Sequence, residues 1–142
     1  MLNILITGAN RGIGLQLATK LSSSNHIYAF CRQASSELLH LPNTTIIDQV
    51  DLLNLDSLSS AINQLPDHID WVINNAGILK RVMIDVINDD DLDMIRDQFN
   101  VNALAPLYVV NKCLDRLSDS SKVALITSRM GSIDDNDSGS HY

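Results

Sequence analysis

The apolar residues of this chain fall into short blocks separated by stretches of helical periodicity. Ile4-Leu5-Ile6-Thr7 is a brief apolar run closed by Gly8. A run this short, without polar alternation, predicts a strand buried on both faces, as in a parallel sheet. From Gly12 to Leu21, residues Ile13, Leu17 and Leu21 recur every four positions and predict the apolar face of a helix. Ser22-Ser23-Ser24-Asn25 ends it. Residues 27–31 and 45–50 predict a second and a third strand. Residues 57–65 predict a helix with Leu58, Ile62 and Leu65 on one side, stopped by Pro66. Residues 71–74 and 122–127 predict the fourth and fifth strands. Between these two, residues 89–117 read as one long helix. Asp89-Asp90-Asp91 suits its start, because carboxylates favour a helix N-terminus. Leu92, Ile95 and Phe99, then Leu104, Leu107, Asn111 and Leu114, carry its mostly apolar stripe.

Strands alternating with helices imply βαβ units, right-handed crossovers and an α/β fold with a doubly wound parallel sheet. The 142 residues suffice for one such domain. Asp134 to Tyr142 is polar, without strand or helix pattern, and reads as a loop. A net charge of −7 argues against nucleic acid as a partner, since phosphate backbones need a basic face. Cys31 and Cys113, without a secretory signal, read as reduced thiols. His26, His40, His68 and His141 lack metal-ligand spacing, so no metal site is expected. Leu2-Asn3-Ile4-Leu5-Ile6 is too short for a signal or a membrane span, and a cytoplasmic protein is expected.

The segment Thr7-Gly8-Ala9-Asn10-Arg11-Gly12-Ile13-Gly14 follows the first strand and opens the first helix. Gly8 can take a tight turn, Gly12 lets backbone approach a pyrophosphate, and Gly14 lets the helix pack close to the sheet. The helix N-terminus offers free N–H groups and partial positive charge to phosphates. In this context the turn predicts a Rossmann dinucleotide-binding site rather than a plain glycine turn.

The pattern Thr-Gly-x-x-x-Gly-x-Gly resembles the short-chain dehydrogenase/reductase family. The likeness continues through Asn74-Asn75-Ala76-Gly77 after the fourth strand, Asn102 within Asn100-Val101-Asn102-Ala103, and Ser128 within Thr127-Ser128-Arg129-Met130-Gly131. The wording from Ser128 to Asn136 looks most like the C-factor and carbonyl-reductase-like branch. The resemblance implies that Gly8, Asn10, Arg11, Gly12, Ile13 and Gly14, with Asn75, Ala76 and Gly77, bind the cofactor. It also implies that Asp51 and Leu52 flank its adenine; Asp51 could equally be a capping or turn residue.

An NAD site usually carries an acid at the end of the second strand, for the ribose 2′-hydroxyl. Here stands Cys31-Arg32-Gln33. A guanidinium pairs bidentately with phosphate oxygens, and Arg11 could approach the same 2′-phosphate from the other side. The expected cofactor is therefore NADP(H), ahead of NAD(H).

In such a family, hydride passes between nicotinamide and a carbonyl or alcohol carbon, and a Tyr of a Tyr-x-x-x-Lys pair exchanges the proton. The resemblance gives Ser128 the substrate oxygen and gives the Asn102 carbonyl a water of the proton relay. Ser128 falls at the carboxyl end of the fifth strand, where open α/β sheets bind ligands; the other reading is a turn serine. Asn is unfavourable in mid-helix, and Pro106, four residues on, has no N–H for the Asn102 carbonyl. The alternative is a simple kink with a solvated amide. Tyr142 aligns best with a tyrosine two positions before the catalytic one, so it is not expected to be catalytic. On that alignment the Tyr-x-x-x-Lys helix, later strands and substrate lid lie past residue 142. The domain spanning residues 1–142 would then be incomplete at its C-terminal end, with one edge and face of the sheet uncovered. The expected function is an NADP(H)-dependent oxidoreductase of carbonyl or alcohol substrates, with little turnover by this chain alone. Family members form homodimers or tetramers, often through the long helix. The alternative is a non-catalytic nucleotide-binding regulator or signalling protein of C-factor type.

Overall fold

A computed structural model describes residues 1–128 and Asp134. Strands β1 (Asn3–Thr7), β2 (His26–Phe30), β3 (Thr44–Ile47), β4 (Trp71–Asn74) and β5 (Lys122–Leu125) form one sheet in the order β3-β2-β1-β4-β5. Every neighbouring pair is parallel. The chain winds outward from β1 through β2 to β3, then crosses back to β4. Its direction of winding reverses between β1 and β4, which leaves a crevice at their carboxyl ends.

Period-two alternation sorts the strand residues onto two faces. Leu5, Phe30 and Val72 point to one core, with Leu58, Ala61 and Ile62 of helix α3 (Leu55–Ile62) and Val109 and Cys113 of helix α5 (Ala105–Cys113). Ile4, Ile6, Ile27, Ala29 and Ile73 point to the other, with Ala18 of helix α1 (Gly12–Leu21) and Leu38 of helix α2 (Ser36–Leu39). The central strands are thus covered on both sides, as their unbroken apolar runs predict. Burying each large aliphatic side chain contributes about 1.5–3 kcal/mol. At the edge the situation differs: every side chain of β5 is exposed, including Val123 and Leu125.

Several expectations need correction. The short helix α2 was not anticipated; four residues are too few for a periodicity signal, and Ser35 caps it through a bond from the Leu38 N–H. Helix α3 begins two residues before Ser57, because Asn54 accepts from the N–H groups of Asp56 and Ser57, and it ends at Ile62, ahead of Pro66. Ile13 does not join Leu17 and Leu21 against the sheet; it is 62% exposed at the end of α1 that overhangs the crevice.

The long helix is not continuous. Helix α4 (Asp89–Phe99) starts on a capping box between Asn88 and Asp91. It passes into a π-helical segment (Asn100–Leu104), where the Ala105 N–H donates to the Asn100 carbonyl, and then into α5. A 3₁₀ turn (Leu114–Arg116) finishes it. The inward stripe is also not the expected one. Leu104, Leu107 and Leu114 are exposed, as are Leu92 and Phe99, while Gln98, Val101, Ala105, Val109 and Cys113 are buried. Small residues let α5 lie close to the sheet, and the polar Gln98 interrupts the apolar signal on the inward row. The loop reading for residues 135–142, Tyr142 included, lies outside the described residues.

At the opposite end of the sheet from the crevice, Asp70 ties the start of β4 to the start of β1. Its Oδ2 accepts from the Asn3 N–H at 2.7 Å, and His68 Nε2 lies 3.2 Å from its Oδ1. The Asn3 hydrogen bond first, and His68 second, hold the Asp70 carboxyl below its ordinary value against the opposing effect of burial. A carboxyl with a depressed folded-state pKa contributes stability that is complete above its unfolded value and is lost as pH falls through the folded one. We expect the urea midpoint to fall below about pH 4, and the native chain to lose more of it than Asp70→Asn does. Parallel pH profiles of the two proteins would show Asp70 to be uninvolved.

Candidate functional site

The crevice at the carboxyl ends of β1, β2 and β4 is built by the glycine-rich turn. Gly8 (φ +67°) and Gly12 (φ +55°) both occupy the left-handed region, which only glycine enters without strain. The Gly8 and Ala9 N–H groups both donate to the Phe30 carbonyl, at 2.9 and 3.2 Å, fixing the turn to β2. On the other side it is fixed to β4. The Asn75 and Ala76 N–H groups donate to Thr7 Oγ1, each at 3.1 Å, and Asn75 Nδ2 donates to the carbonyls of Thr7 and Gly8, at 3.0 and 3.2 Å. Gly14 packs directly behind this clamp: a Cβ there would collide with the Gly8 carbonyl and lie 2.5 Å from Asn75 Nδ2. A Cβ on Gly12 would meet nothing within 4 Å, because Gly12 faces the open crevice.

Helix α1 differs from its neighbours at its N-terminus. Helices α2, α3 and α4 each carry a side-chain cap and an acid in the first turn. Helix α1 has Arg11 at its N-cap position, no side-chain cap and no acid. Its first N–H groups therefore keep their hydrogen-bonding capacity and partial positive charge for a ligand.

Arg11 and Arg32 line the same crevice, and neither forms an ion pair among the described residues. The loops that carry them are joined by Asn10 Nδ2, which donates to the Gln33 carbonyl at 2.9 Å. Cys31 beside Arg32 is 3% exposed; burial first, and Asp48 second, push its thiol up, so it stays neutral. On the far wall, Asp51 Oδ1 accepts from the Leu53 N–H at 3.0 Å, in an Asx turn. Asp51 is a turn residue by this bond and a crevice residue by its position.

Asn102 sits in the π-helical segment. Its side chain, though exposed, is tied down: Oδ1 accepts from the Ile78 N–H at 2.9 Å, and Nδ2 donates to the Ile78 carbonyl at 2.8 Å. This two-point bond joins the segment to the chain just after Gly77. The amide at this break is thus held by protein groups. Ser128, three residues past β5, lines an apolar groove together with Asn102, Pro106, Val110 and Ile126. Groove and crevice share Ile13, Asn75, Ala76, Gly77 and Ile78, so they meet along the residues that follow β4.

The profile of short chain dehydrogenases matches residues 2–142. The chain belongs to the short-chain dehydrogenase family. Among curated relatives it is similar to 1-hydroxy-2-glutathionyl-2-methyl-3-butene dehydrogenase of Rhodococcus sp., at 29% identity over all of this chain and 63% of that protein. It is also similar to human retinol dehydrogenase 13, at 30% identity over 87% of this chain and 39% of that one. Among solved structures, an NADPH-bound carbonyl reductase from chicken fatty liver superposes with a TM-score of 0.77 and 28% identity, over 94% of this chain and 62% of that chain. The chain thus spans less than two thirds of the length of these relatives.

Within this short-chain dehydrogenase fold, Gly8, Asn10, Arg11, Gly12, Ile13, Arg32, Asp51, Leu52, Asn75, Ala76 and Gly77 all line the crevice, and Gly14 lies behind it. Ser128 and Asn102 lie in the adjoining groove. Thr7, Val50 and Asn74 are among the residues that were missed as site residues. Thr7, whose hydroxyl accepts twice from the segment after β4, was passed over because its buried position reads as strand interior. Val50 lines the crevice but reads as part of β3. Asn74 lines the groove, and its buried Nδ2 has no hydrogen-bond partner among the described residues. Among the described residues no group of His, Cys, Asp or Glu could hold a metal ion, and no helix is long and apolar enough to cross a membrane.

The two glycines should respond differently to a methyl group. Gly14→Ala must displace backbone, and overpacking of this kind costs about 3 kcal/mol or more. Gly12→Ala meets only backbone strain of about 1 kcal/mol. Urea unfolding followed through Trp71 fluorescence gives both values; equal losses would mean that the clamp behind Gly14 is not tight.

Proposed function

We propose that this chain binds NADP(H) and that the protein catalyses hydride transfer between that cofactor and a carbonyl or alcohol substrate. The observation that carries the reading is the uncapped N-terminus of α1, set beside two arginines that form no ion pair among the described residues, at the crevice of a parallel sheet. The residues fit such a cofactor. Gly12 leaves room for a pyrophosphate against the α1 N–H groups, Asp51 and Leu52 flank the adenine, and Arg11 and Arg32 converge on a 2′-phosphate. Asn75, Ala76 and Gly77 continue the binding surface toward the groove. The NADPH-bound state of the chicken carbonyl reductase supports the same choice of cofactor.

When bound, NADP(H) supplies the hydride or accepts it. The chain's own residues orient the partner. Ser128 holds the substrate oxygen by its hydroxyl. The Asn102 carbonyl, which has Pro106 in place of an i+4 donor and lies beside the side-chain bonds to Ile78, anchors a water that carries protons. The apolar groove shared by these two residues accepts a small organic carbonyl or alcohol. We place the protein in the cytoplasm and assign self-association, as homodimer or tetramer, to the exposed Leu104, Leu107 and Leu114. No observation favours a purely regulatory role.

Equilibrium titration with NADPH and NADH, followed by nucleotide fluorescence, tests the cofactor assignment. The native chain should bind NADPH more tightly. Arg32→Ala should weaken NADPH by about 10- to 100-fold, the loss of a charged hydrogen-bonded contact, while NADH changes by less than about threefold. Equal affinities of the native chain for the two nucleotides would overturn the reading.

A further inference from the structure

The wall of the crevice opposite the glycine turn is a loop, residues 48–54, between β3 and α3. It presents Val50, Asp51, Leu52 and Leu53 to the crevice. Its backbone is not relaxed: Gln49 has φ +57°, in the left-handed region that a non-glycine side chain enters at a cost. Such a conformation persists only where neighbouring bonds hold it.

Those bonds converge on one hydroxyl. Ser57, in the first turn of α3, donates through Oγ to the Gln49 carbonyl at 3.1 Å and accepts from the Asp51 N–H at 3.1 Å. The two contacts bracket Val50 from either side. They add to the link with the segment just after β2, where the Gln49 N–H donates to the Arg32 carbonyl at 3.3 Å and the Val50 N–H to the Cys31 carbonyl at 3.0 Å. Ser57 is itself fixed, because its N–H donates to the Asn54 cap at 3.0 Å. Helix α3, anchored in the core by Leu58, Ala61 and Ile62, thereby sets where the crevice wall stands. Ser57 lines neither the crevice nor the groove.

We infer that Ser57 is a positioning residue for the adenosine half of the cofactor: its hydroxyl bridge from Gln49 to Asp51 holds the Val50–Leu52 wall at the spacing the adenine ring requires. The inference rests on the proposed binding of NADP(H). A wall that moves outward weakens contacts to the adenosine and leaves those to the nicotinamide, which belong to the other end of the crevice, as they were.

Three probes separate the outcomes: NADPH, adenosine 2′,5′-bisphosphate for the adenosine half, and reduced nicotinamide mononucleotide for the other half. Ser57→Ala should weaken both NADPH and the bisphosphate by about five- to tenfold, as expected when hydrogen bonds that fix a binding wall are removed. Its affinity for the mononucleotide should match that of the native chain. Ser57→Thr, which keeps the hydroxyl, should restore the bisphosphate affinity. Equal weakening of both halves, accompanied by a lower melting temperature, would make Ser57 a residue of general stability and overturn the inference. Unchanged affinity of Ser57→Ala for the bisphosphate would overturn it as well, with the cofactor assignment left standing. Failure of the native chain to bind NADPH or the bisphosphate would instead overturn the cofactor assignment, and this inference with it.

Discussion

Asn75 and Thr7 meet where β1 and β4 end, and the crevice depends on how closely their backbones approach. Four hydrogen bonds pass between Thr7-Gly8 and Asn75-Ala76, and helix α1 lies against them so tightly that Gly14 has no room for a Cβ. Backbone groups at a strand end otherwise need water. Here the Thr7 hydroxyl and the Asn75 side-chain amide satisfy them, so the glycine turn is held at fixed height over the sheet. The left-handed conformations of Gly8 and Gly12 follow from that constraint. So does the exposure of the first α1 N–H groups, since the chain must turn from strand to helix within a few residues.

Electrostatics then single out one helix end. The chain carries a net charge of −7, and Asp56 in the first turn of α3 and Asp89, Asp90 and Asp91 in that of α4 complement the helix dipole. Helix α1 has an arginine in that place. An arginine at a helix N-terminus is unfavourable unless an anion stands between them. Arg11 and Arg32 set two positive charges at this helix end within an acidic protein, with the carboxylate of Asp51 held in its own turn on the far wall of the crevice.

The second constraint is the break between α4 and α5. Pro106 removes one helical donor, and the chain widens into a π-helical turn that brings Asn102 against Ile78. A straight helix would have carried the same residues past the groove. The local irregularity is what sets a polar pair of contacts beside an otherwise apolar surface that also includes Ser128.

The order of strands and helices, the glycine turn and the segment from Asn74 to Gly77 were legible because each is a local pattern: short apolar runs, helical spacing, glycine where side chains cannot fit. Those patterns determined the parallel sheet and the outline of the crevice. They misjudged the long helix, because the spacing of large leucines marked an outward face while Val101, Ala105, Val109 and Cys113, smaller and less conspicuous, formed the inward one. They also gave no sign that the Asn102 side chain binds Ile78 or that Ser57 bridges Gln49 and Asp51. Both contacts join residues whose proximity is set by packing or loop conformation, so no periodicity along the chain could announce them. Local patterning was enough to define the kind of sheet and the place of the glycine-rich turn. Which side chains meet around that turn followed from folding, because those contacts form when separate elements pack together.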